Sequence, residues 1–353
     1  MERPTLDKFP QRVLAQIDIQ TAFIVSRLIV AAERLEVFRA LHGKRLTADA
    51  IGKSLRIYQL YLRPFLNSLV SLGLLRKQGD AYSNTPFADR YFVKQRSIHW
   101  TRQFSNECVE SYAALTVLEE VLTSGMSHRA ILGLKEPGYV ERMQRDPREA
   151  EDFTQMLFHL HQPDAQALAA SLDLSAHHAI LDVGGGSGVM SIALAKKNPH
   201  LRACILDIAP VCEIAAGNVR RARLSRRVTT LAGDIRRTLP AGFDAVLVCD
   251  VGAVPGQLLK NAWRCLPPGG LLILVDRYLS DDGTRPLDRL VAHFTGASFG
   301  LATRSDMVQA LKSRGFRAVK ARNFHQDVWC ITGSKPRAAN ARLRSEARLR
   351  IVR

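Results

Sequence analysis

Three acids and three glycines stand where this chain could hold a ligand. In Ile180-Leu181-Asp182-Val183-Gly184-Gly185-Gly186-Ser187-Gly188 an apolar run (179–183) leads directly into Gly184, Gly186 and Gly188, and a helical pattern starts at Val189. Glycines at this spacing let the backbone turn sharply and let a ligand lie almost against the main chain. They do so at a helix start rich in free N–H groups. Purely structural turns share such a loop, so its acids carry the weight. Asp182 sits inside the motif, where a dinucleotide fingerprint needs no carboxylate. Asp207 ends the next apolar run, Ala203-Cys204-Ile205-Leu206, at the distance expected of an acid that accepts hydrogen bonds from ribose hydroxyls. Asp234, in Ala232-Gly233-Asp234-Ile235, closes a third strand read over 228–231. Strand ends along one edge of a parallel sheet form a ligand crevice, so the three acids can converge there. An acidic rim suits a cationic cofactor better than a pyrophosphate.

The elements that must position these residues read as a doubly wound α/β domain. A fourth strand covers 243–249, and Leu266-Pro267-Pro268-Gly269-Gly270 turns the chain into a fifth over 271–276. A last strand is expected at 328–331. The N-terminal third has another character. Residues 21–40 show apolar positions at helical spacing, and a second helix opens after Thr47, a plausible N-cap. A third helix runs over 57–72, with Pro64 costing regularity inside it. After Gly73, residues 74–83 read as a β-hairpin turning at Gly79-Asp80. Helices followed by a small hairpin make a winged-helix unit, a geometry shared with DNA-binding proteins. A regulator would need a basic recognition helix, and 57–72 carries only Arg63.

This order of motifs resembles the class I S-adenosylmethionine (SAM)-dependent methyltransferases, and the likeness runs over most of the chain. Asp182-x-Gly184-x-Gly186-x-Gly188 is similar to their first motif, Asp207 falls at the ribose-binding acid, and Asp234 at the residue that contacts adenine. Leu72-Gly73-Leu74-Leu75 followed by Tyr82-Ser83-Asn84-Thr85-Pro86 resembles the small-molecule O-methyltransferases, whose winged helix serves dimerisation and the substrate wall. The resemblance implies SAM as cofactor, held by Asp182, Gly184, Gly186, Gly188, Asp207, Asp234, Ile235 and Cys249. It also implies a homodimer formed through the N-terminal domain. The expected organisation is a dimerisation domain at 1–95, a helical linker and substrate cap at 96–170, and a Rossmann-like SAM-binding domain at 171–333. A basic, disordered tail at 334–353 follows.

The catalytic residues depart from the family. Its O-methyltransferases carry a His just after the fourth strand to take the proton from a substrate hydroxyl; here that position aligns with Ala253, and no His occurs between His200 and His293. Asp276, after the fifth strand, matches an acid that orients the family His, and Asp250 directly follows the fourth strand. Either acid could touch the reaction or be a solvated cap. His293, in a helix read over the pocket, has the ordinary pKa of a general base, though a lone His beside aromatics is more often structural. His159 and His161 fall on a helix that covers the pocket in the family and would line the substrate. Methyl transfer displaces a sulfonium, so alignment supplies much of the rate. A missing base therefore points to carbon, nitrogen or acidic-phenol methylation of a small planar secondary metabolite or pigment precursor. A SAM-binding relative with another activity is the alternative.

Composition bounds the rest. The chain has 353 residues, 46% of them hydrophobic, enough for a substantial core in two units. Its six cysteines lack a Cys-x-x-Cys pair and fall mostly in apolar runs, as buried thiols in a reducing compartment do, and no metal-ligand spacing appears. No signal peptide or long uncharged run is visible, so a cytoplasmic protein is expected. The net charge is +17. Seven basic residues (Lys335, Arg337, Arg342, Arg344, Arg348, Arg350, Arg353) face Glu346 alone at the C-terminus, and Arg220, Arg221, Arg223, Arg226 and Arg227 cluster at a helix end. A solvated basic face explains both; the tail could also meet a membrane surface. It lacks the interleaved aromatics of a single-strand binder, and no nucleic-acid partner is expected.

Overall fold

A computed structural model describes residues 22–94, 109–135, 138–252, 254, 256–295 and 300–337. The chain divides into two compact units, Met1–Tyr112 and Ala113–Arg353.

In the first unit the helical pattern of 21–40 is split. Helix α1 (Ala22–Arg34) ends before Glu36, which takes a left-handed φ of 57°, and α2 (Val37–Ala40) restarts in a new direction that buries Val37 and Phe38. Strand β1 (Leu46–Thr47) leads into α3 (Ala48–Leu55), capped by the Thr47 hydroxyl accepting from Ala50 N at 3.2 Å. Helix α4 (Gln59–Ser71) absorbs Pro64 and buries Leu62, Leu66 and Leu69. Strands β2 (Leu75–Gln78) and β3 (Ala81–Asn84) form the expected hairpin, with Gly79 at φ 58° supplying the left-handed turn position. A short helix α5 (Pro86–Ala88) and a π-helical turn (Asp89–Lys94) close the described part of this unit. Arg63 donates to Asp80 at 2.8 Å and pairs with Asp49, so the cation of α4 is held by acids of its own unit.

The second unit opens with helices α6 (Leu118–Ser124), α7 (His128–Ile131), α8 (Tyr139–Arg145), α9 (Pro147–Leu160) and α10 (Gln162–Ser171). The sheet unit proper alternates β4 (Ala179–Val183), α11 (Val189–Lys197), β5 (Arg202–Asp207), α12 (Ala209–Arg221), β6 (Val228–Ala232), β7 (Ala245–Cys249), α13 (Gly256–Cys265) and β8 (Leu271–Asp276). Helices α14 (Leu287–Phe294) and α15 (Arg304–Ser313) and strands β9 (Arg317–His325) and β10 (Val328–Ser334) complete it. The sheet order is β6-β5-β4-β7-β8-β10-β9, parallel from β6 to β8 and antiparallel where β10 joins β8 and β9. The apolar runs feed two cores, one on each face. Ile180, Ile205, Leu247 and Ile273 pack into one; Leu181, Val183, Val246, Val248, Leu272 and Leu274 pack into the other. Each such side chain removed from water contributes about 2 kcal/mol.

The helices from 113 onward fall in the second unit, where Met143 and Ala150 are buried against Val211 of α12. The tail starts later than 334, because Ser334 pairs with Leu271 and Arg317, and Lys335 Nζ donates to the carbonyls of Trp263 (2.8 Å) and Leu266 (2.6 Å). Residues 338–353 lie outside the described residues, as does Ala253. Part of the basic cluster is structural: Arg227 Nη1 donates to the carbonyls of Ala195, Asn198 and Leu201 at 2.7, 3.1 and 3.2 Å. No helix among the described residues is long and apolar enough to cross a membrane.

Candidate active site

The chain winds outward from β4 through β5 and β6, then returns to the other side of β4 as β7. The carboxyl ends of β4 and β7 therefore flank the switch point at which α/β sheets hold ligands. Gly184, Gly186 and Gly188 all have left-handed φ, at 69°, 52° and 76°. Their tasks differ. A Cβ on Gly184 would stand 2.5 Å from Val251 Cγ1, and one on Gly188 would stand 2.7 Å from Ile205 Cδ1, so both positions are closed by packing. Around Gly186 the nearest atom to such a Cβ is 3.9 Å away, which leaves the loop's backbone open to a ligand.

Asp182 is fully buried beneath that loop. Its Oδ2 accepts from Ser191 Oγ at 2.6 Å, while Oδ1 is buried without a hydrogen-bond partner. Burial raises its pKa to about 6, against the pull of Ser191. Asp207 is also buried; it accepts from Gly186 N at 2.9 Å and from Ile208 N at 2.8 Å, and burial pushes its pKa up. These bonds clamp the loop to β5 and leave each carboxylate oxygen with a further lone pair. Asp234 is engaged differently. Arg236 holds it with bonds of 2.8 to 3.1 Å and lowers its pKa to about 2. Ile235 lies beside the loop, its Cδ1 at 3.8 Å from a Cβ built on Gly184. Cys249 ends β7 as a thiol, its pKa driven up by burial and by Asp250. A buried acceptor without a partner, a second buried acid and an open glycine backbone fit a nucleoside that carries a positive centre.

Beyond β7 and β8 lies a second group of charges. Asp250 has a left-handed φ of 49°, a conformation non-glycine residues adopt at a cost, and its carboxylate faces two cations. Oδ1 accepts from Arg289 Nη2 at 3.2 Å, and Oδ2 lies 3.4 Å from His161 Nε2. The same Arg289 nitrogen is hydrogen-bonded to Asp276. Arg289 comes from α14 with a side chain only 7% exposed. Burial and the Asp250 charge raise Asp276 to about 6, whereas for Asp250 the upward push of burial is outweighed by His161 and Arg289. Burial disfavours a charged His161, but Asp164 and Asp250 outweigh it and lift the imidazole to about 9. Among the described residues no group of three or more His, Cys, Asp or Glu could hold a metal ion.

Of the residues singled out in the sequence, Asp250, Asp276 and His161 meet in this group. His293 is exposed on α14 with its ring against Phe294, and no described contact joins it to the acids. His159 is part-buried and bonded at Nδ1 to the Gln155 carbonyl, 2.7 Å away, within its own helix. Arg289, Asp164 and His325 went unread. The apolar pattern of α14 points away from Arg289, since Leu287 is 72% exposed while the arginine is buried. Gln155 and Asn218 were also missed; they link α9 to the loop through Gln155 Nε2–Asn218 Oδ1 (3.1 Å) and Asn218 Nδ2–Ser187 O (2.9 Å).

Residues 116–317 match the O-methyltransferase domain, and residues 17–94 match the O-methyltransferase dimerisation domain. The chain belongs to the O-methyltransferase family, and it is a methyltransferase. It is 28% identical over 280 residues to a 3-hydroxy-5-methyl-1-naphthoate 3-O-methyltransferase of Streptomyces sahachiroi, covering 77% of this chain and 79% of that one. It is 26% identical over 337 residues to the tetracenomycin polyketide synthesis 8-O-methyl transferase of Streptomyces glaucescens, covering 91% and 96%. The crystal structure of human N-acetylserotonin methyltransferase in complex with SAM shares the fold, with a TM-score of 0.77, 21% identity, and coverage of 95% and 100%.

Proposed function

We propose that the enzyme uses SAM to methylate a phenolic hydroxyl on a small planar aromatic metabolite. The observation that carries this is the Asp250–Arg289–Asp276 group at the ends of β7 and β8, on the same sheet edge as the glycine loop and Asp207. SAM supplies a methyl group already activated on a sulfonium. Asp207 offers its carboxylate to the ribose hydroxyls, and Asp182 Oδ1 offers a buried negative acceptor to the cofactor's positive end. Gly186 leaves the space in which the cofactor meets the main chain, and Ile235, beside Gly184, and Cys249, at the end of β7, offer it apolar neighbours.

In the acceptor half, Arg289 is a fixed cation that keeps two neighbouring acids from repelling each other into disorder. Of the two acids Asp276 takes a proton the more readily, because burial and the Asp250 charge raise it to about 6, while His161 and Arg289 hold Asp250 low. An acceptor whose hydroxyl is already acidic asks little of such a pair, and alignment does the rest. The relatives named for naphthoate and tetracenomycin substrates support a fused aromatic acceptor. The first unit serves assembly: Tyr58, Leu60 and Tyr61 at the start of α4 are 86%, 75% and 72% exposed within the range matched by the dimerisation domain, which supports a homodimer.

Calorimetric titration with SAM and with S-adenosylhomocysteine (SAH) tests the cofactor. Micromolar binding of both, lost in Asp207→Ala, is expected; no binding of either removes this function. A screen for mass gain of one methyl group on hydroxynaphthoates and alizarin tests the acceptor class. Light scattering tests the dimer.

A further inference from the structure

The sheet edge opposite the candidate site carries positive charge that methyl transfer does not use. Helices α11 and α12 both run back to that edge, where the parallel strands β5 and β6 begin. Lys196 and Lys197 end α11, Arg202 opens β5, and Arg223, Arg226 and Arg227 follow α12. From Leu194 to Ala232 the only acids are Asp207, at the site, and Glu213, in the second turn of α12. Among the described residues none of Lys196, Lys197, Arg202, Arg223 and Arg226 is paired with an acid. Asp244, on the same edge, is taken by the backbone N–H groups of His178 and Ala179 at 2.8 and 3.0 Å.

Cations at helix ends have an ordinary task, since they offset the partial negative charge of the last carbonyls. Lys196 and Lys197 serve α11 in that way. Arg220 and Arg221 serve α12: their guanidinium groups lie back along the helix beside Gly217, and Arg221 bonds Asn218. Arg223, Arg226 and Arg227 are surplus to this task. With Leu224 and Ser225 they line an open hollow of about 490 Å³. Arg227 is fixed in its wall, because Nη1 donates to the carbonyls of Ala195, Asn198 and Leu201. Those bonds set the hollow beside Lys196 and Lys197, and the Arg227 carbonyl, accepting from Ala203 N at 2.8 Å, sets it beside Arg202. A guanidinium held in this way has already lost the rotamer freedom that binding would otherwise cost.

We propose that this hollow binds a diphosphate group, away from the proposed cofactor crevice. Three guanidinium charges call for about three negative ones, which two linked phosphates supply and one carboxylate does not. The planar forks of Arg223 and Arg226 suit phosphate oxygens taken two at a time, and Ser225 adds a hydroxyl donor. No aromatic ring lines the hollow, so a nucleobase joined to the diphosphate gains no stacking there. The site therefore reads the phosphate groups alone, free or carried as an ester. It stands independently of the acceptor chemistry proposed above.

Calorimetry on the full chain in about 0.15 M salt, where diffuse attraction is screened, tests this. Inorganic pyrophosphate should bind once per chain with a Kd below about 1 mM. Arg223→Gln with Arg226→Gln should weaken it at least about tenfold, while an unchanged circular dichroism spectrum shows that the variant folds. Lys53→Gln with Arg76→Gln removes the same charge from exposed positions of the first unit and should leave the binding as it was. ADP, titrated with SAH in excess so that adenosine finds the cofactor crevice filled, separates the two sources of the group. ADP binding as well as pyrophosphate supports a site that admits diphosphate esters, and pyrophosphate binding alone supports a site for the free anion. No binding of either overturns the proposal, as does equal loss in the two double variants. A pyrophosphate affinity that survives removal of both arginines overturns it too.

Discussion

Replacing His161 by Gln should change how stability depends on pH more than how large it is at any one pH. In the fold the imidazole titrates at about 9 against an ordinary 6.5. At about 1.4 kcal/mol per tenfold change in proton affinity, that difference amounts to about 3 kcal/mol. The folded-state value is raised, so the contribution is complete below pH 6.5 and is lost as pH rises through about 9. Glutamine has no such dependence. Urea unfolding at intervals from pH 6 to pH 9.5, followed by the fluorescence to which Trp263 and Trp329 contribute, should show the stability gap between wild type and variant closing by about 3 kcal/mol. Thiols and other groups that titrate in this window are common to both proteins and cancel in the difference. A gap that stays constant from pH 6 to pH 9.5 would refute the charge assignment, and with it the idea that Asp164 and Asp250 both act on this ring.

Other perturbations separate the roles of neighbouring residues. Gly184→Ala combines a φ of 69° with a 2.5 Å clash against Val251 and should cost about 2 to 4 kcal/mol in thermal unfolding. Gly186→Ala should cost only about 1 kcal/mol yet weaken SAM binding in calorimetry by a larger factor, because its Cβ enters open space above the loop. SAM affinity of the wild type should fall as pH drops below about 6, where Asp182 takes up its proton, and Asp182→Asn should show a flat profile. Arg289→Met leaves two part-buried acids facing each other and should destabilise the second unit by about 1 to 3 kcal/mol; adding Asp276→Asn should recover part of that loss, as read from urea midpoints.

Local features were legible in the sequence because their causes are local. The strand–glycine–helix run, the Thr47 cap and the Gly79-Asp80 hairpin each follow from residues within a few positions of one another. The proposed cofactor half shared this property, since Asp207 ends β5 and Asp182 lies one residue before the end of β4. The proposed acceptor half did not. Asp164 and His325 are 161 residues apart, and only the insertion of β10 beside β8 brings β9 close enough for them to meet. Arg289 was hidden by its helix, where periodicity favours Leu287 and the fold buries the arginine between two acids instead. His293 drew notice as an isolated imidazole, and the structure leaves it facing outward. The break at Glu36 was missed because apolar spacing continues across it while the backbone turns left-handed.

Strand β10 follows β9 in the chain yet lies between β8 and β9 in the sheet. During synthesis from the N-terminus, β8 therefore emerges with one edge unpaired, and β9 has no partner until residues 328–334 have been made. The glycine loop, Asp182 and Asp207 can assemble on β4 and β5 well before that moment, whereas His325 reaches Asp164 only afterwards. The glycine loop and the Asp164–His325 contact would thus form at different times. An unfinished chain would display the apolar edge of β8, Leu271 to Val275, to any passing strand.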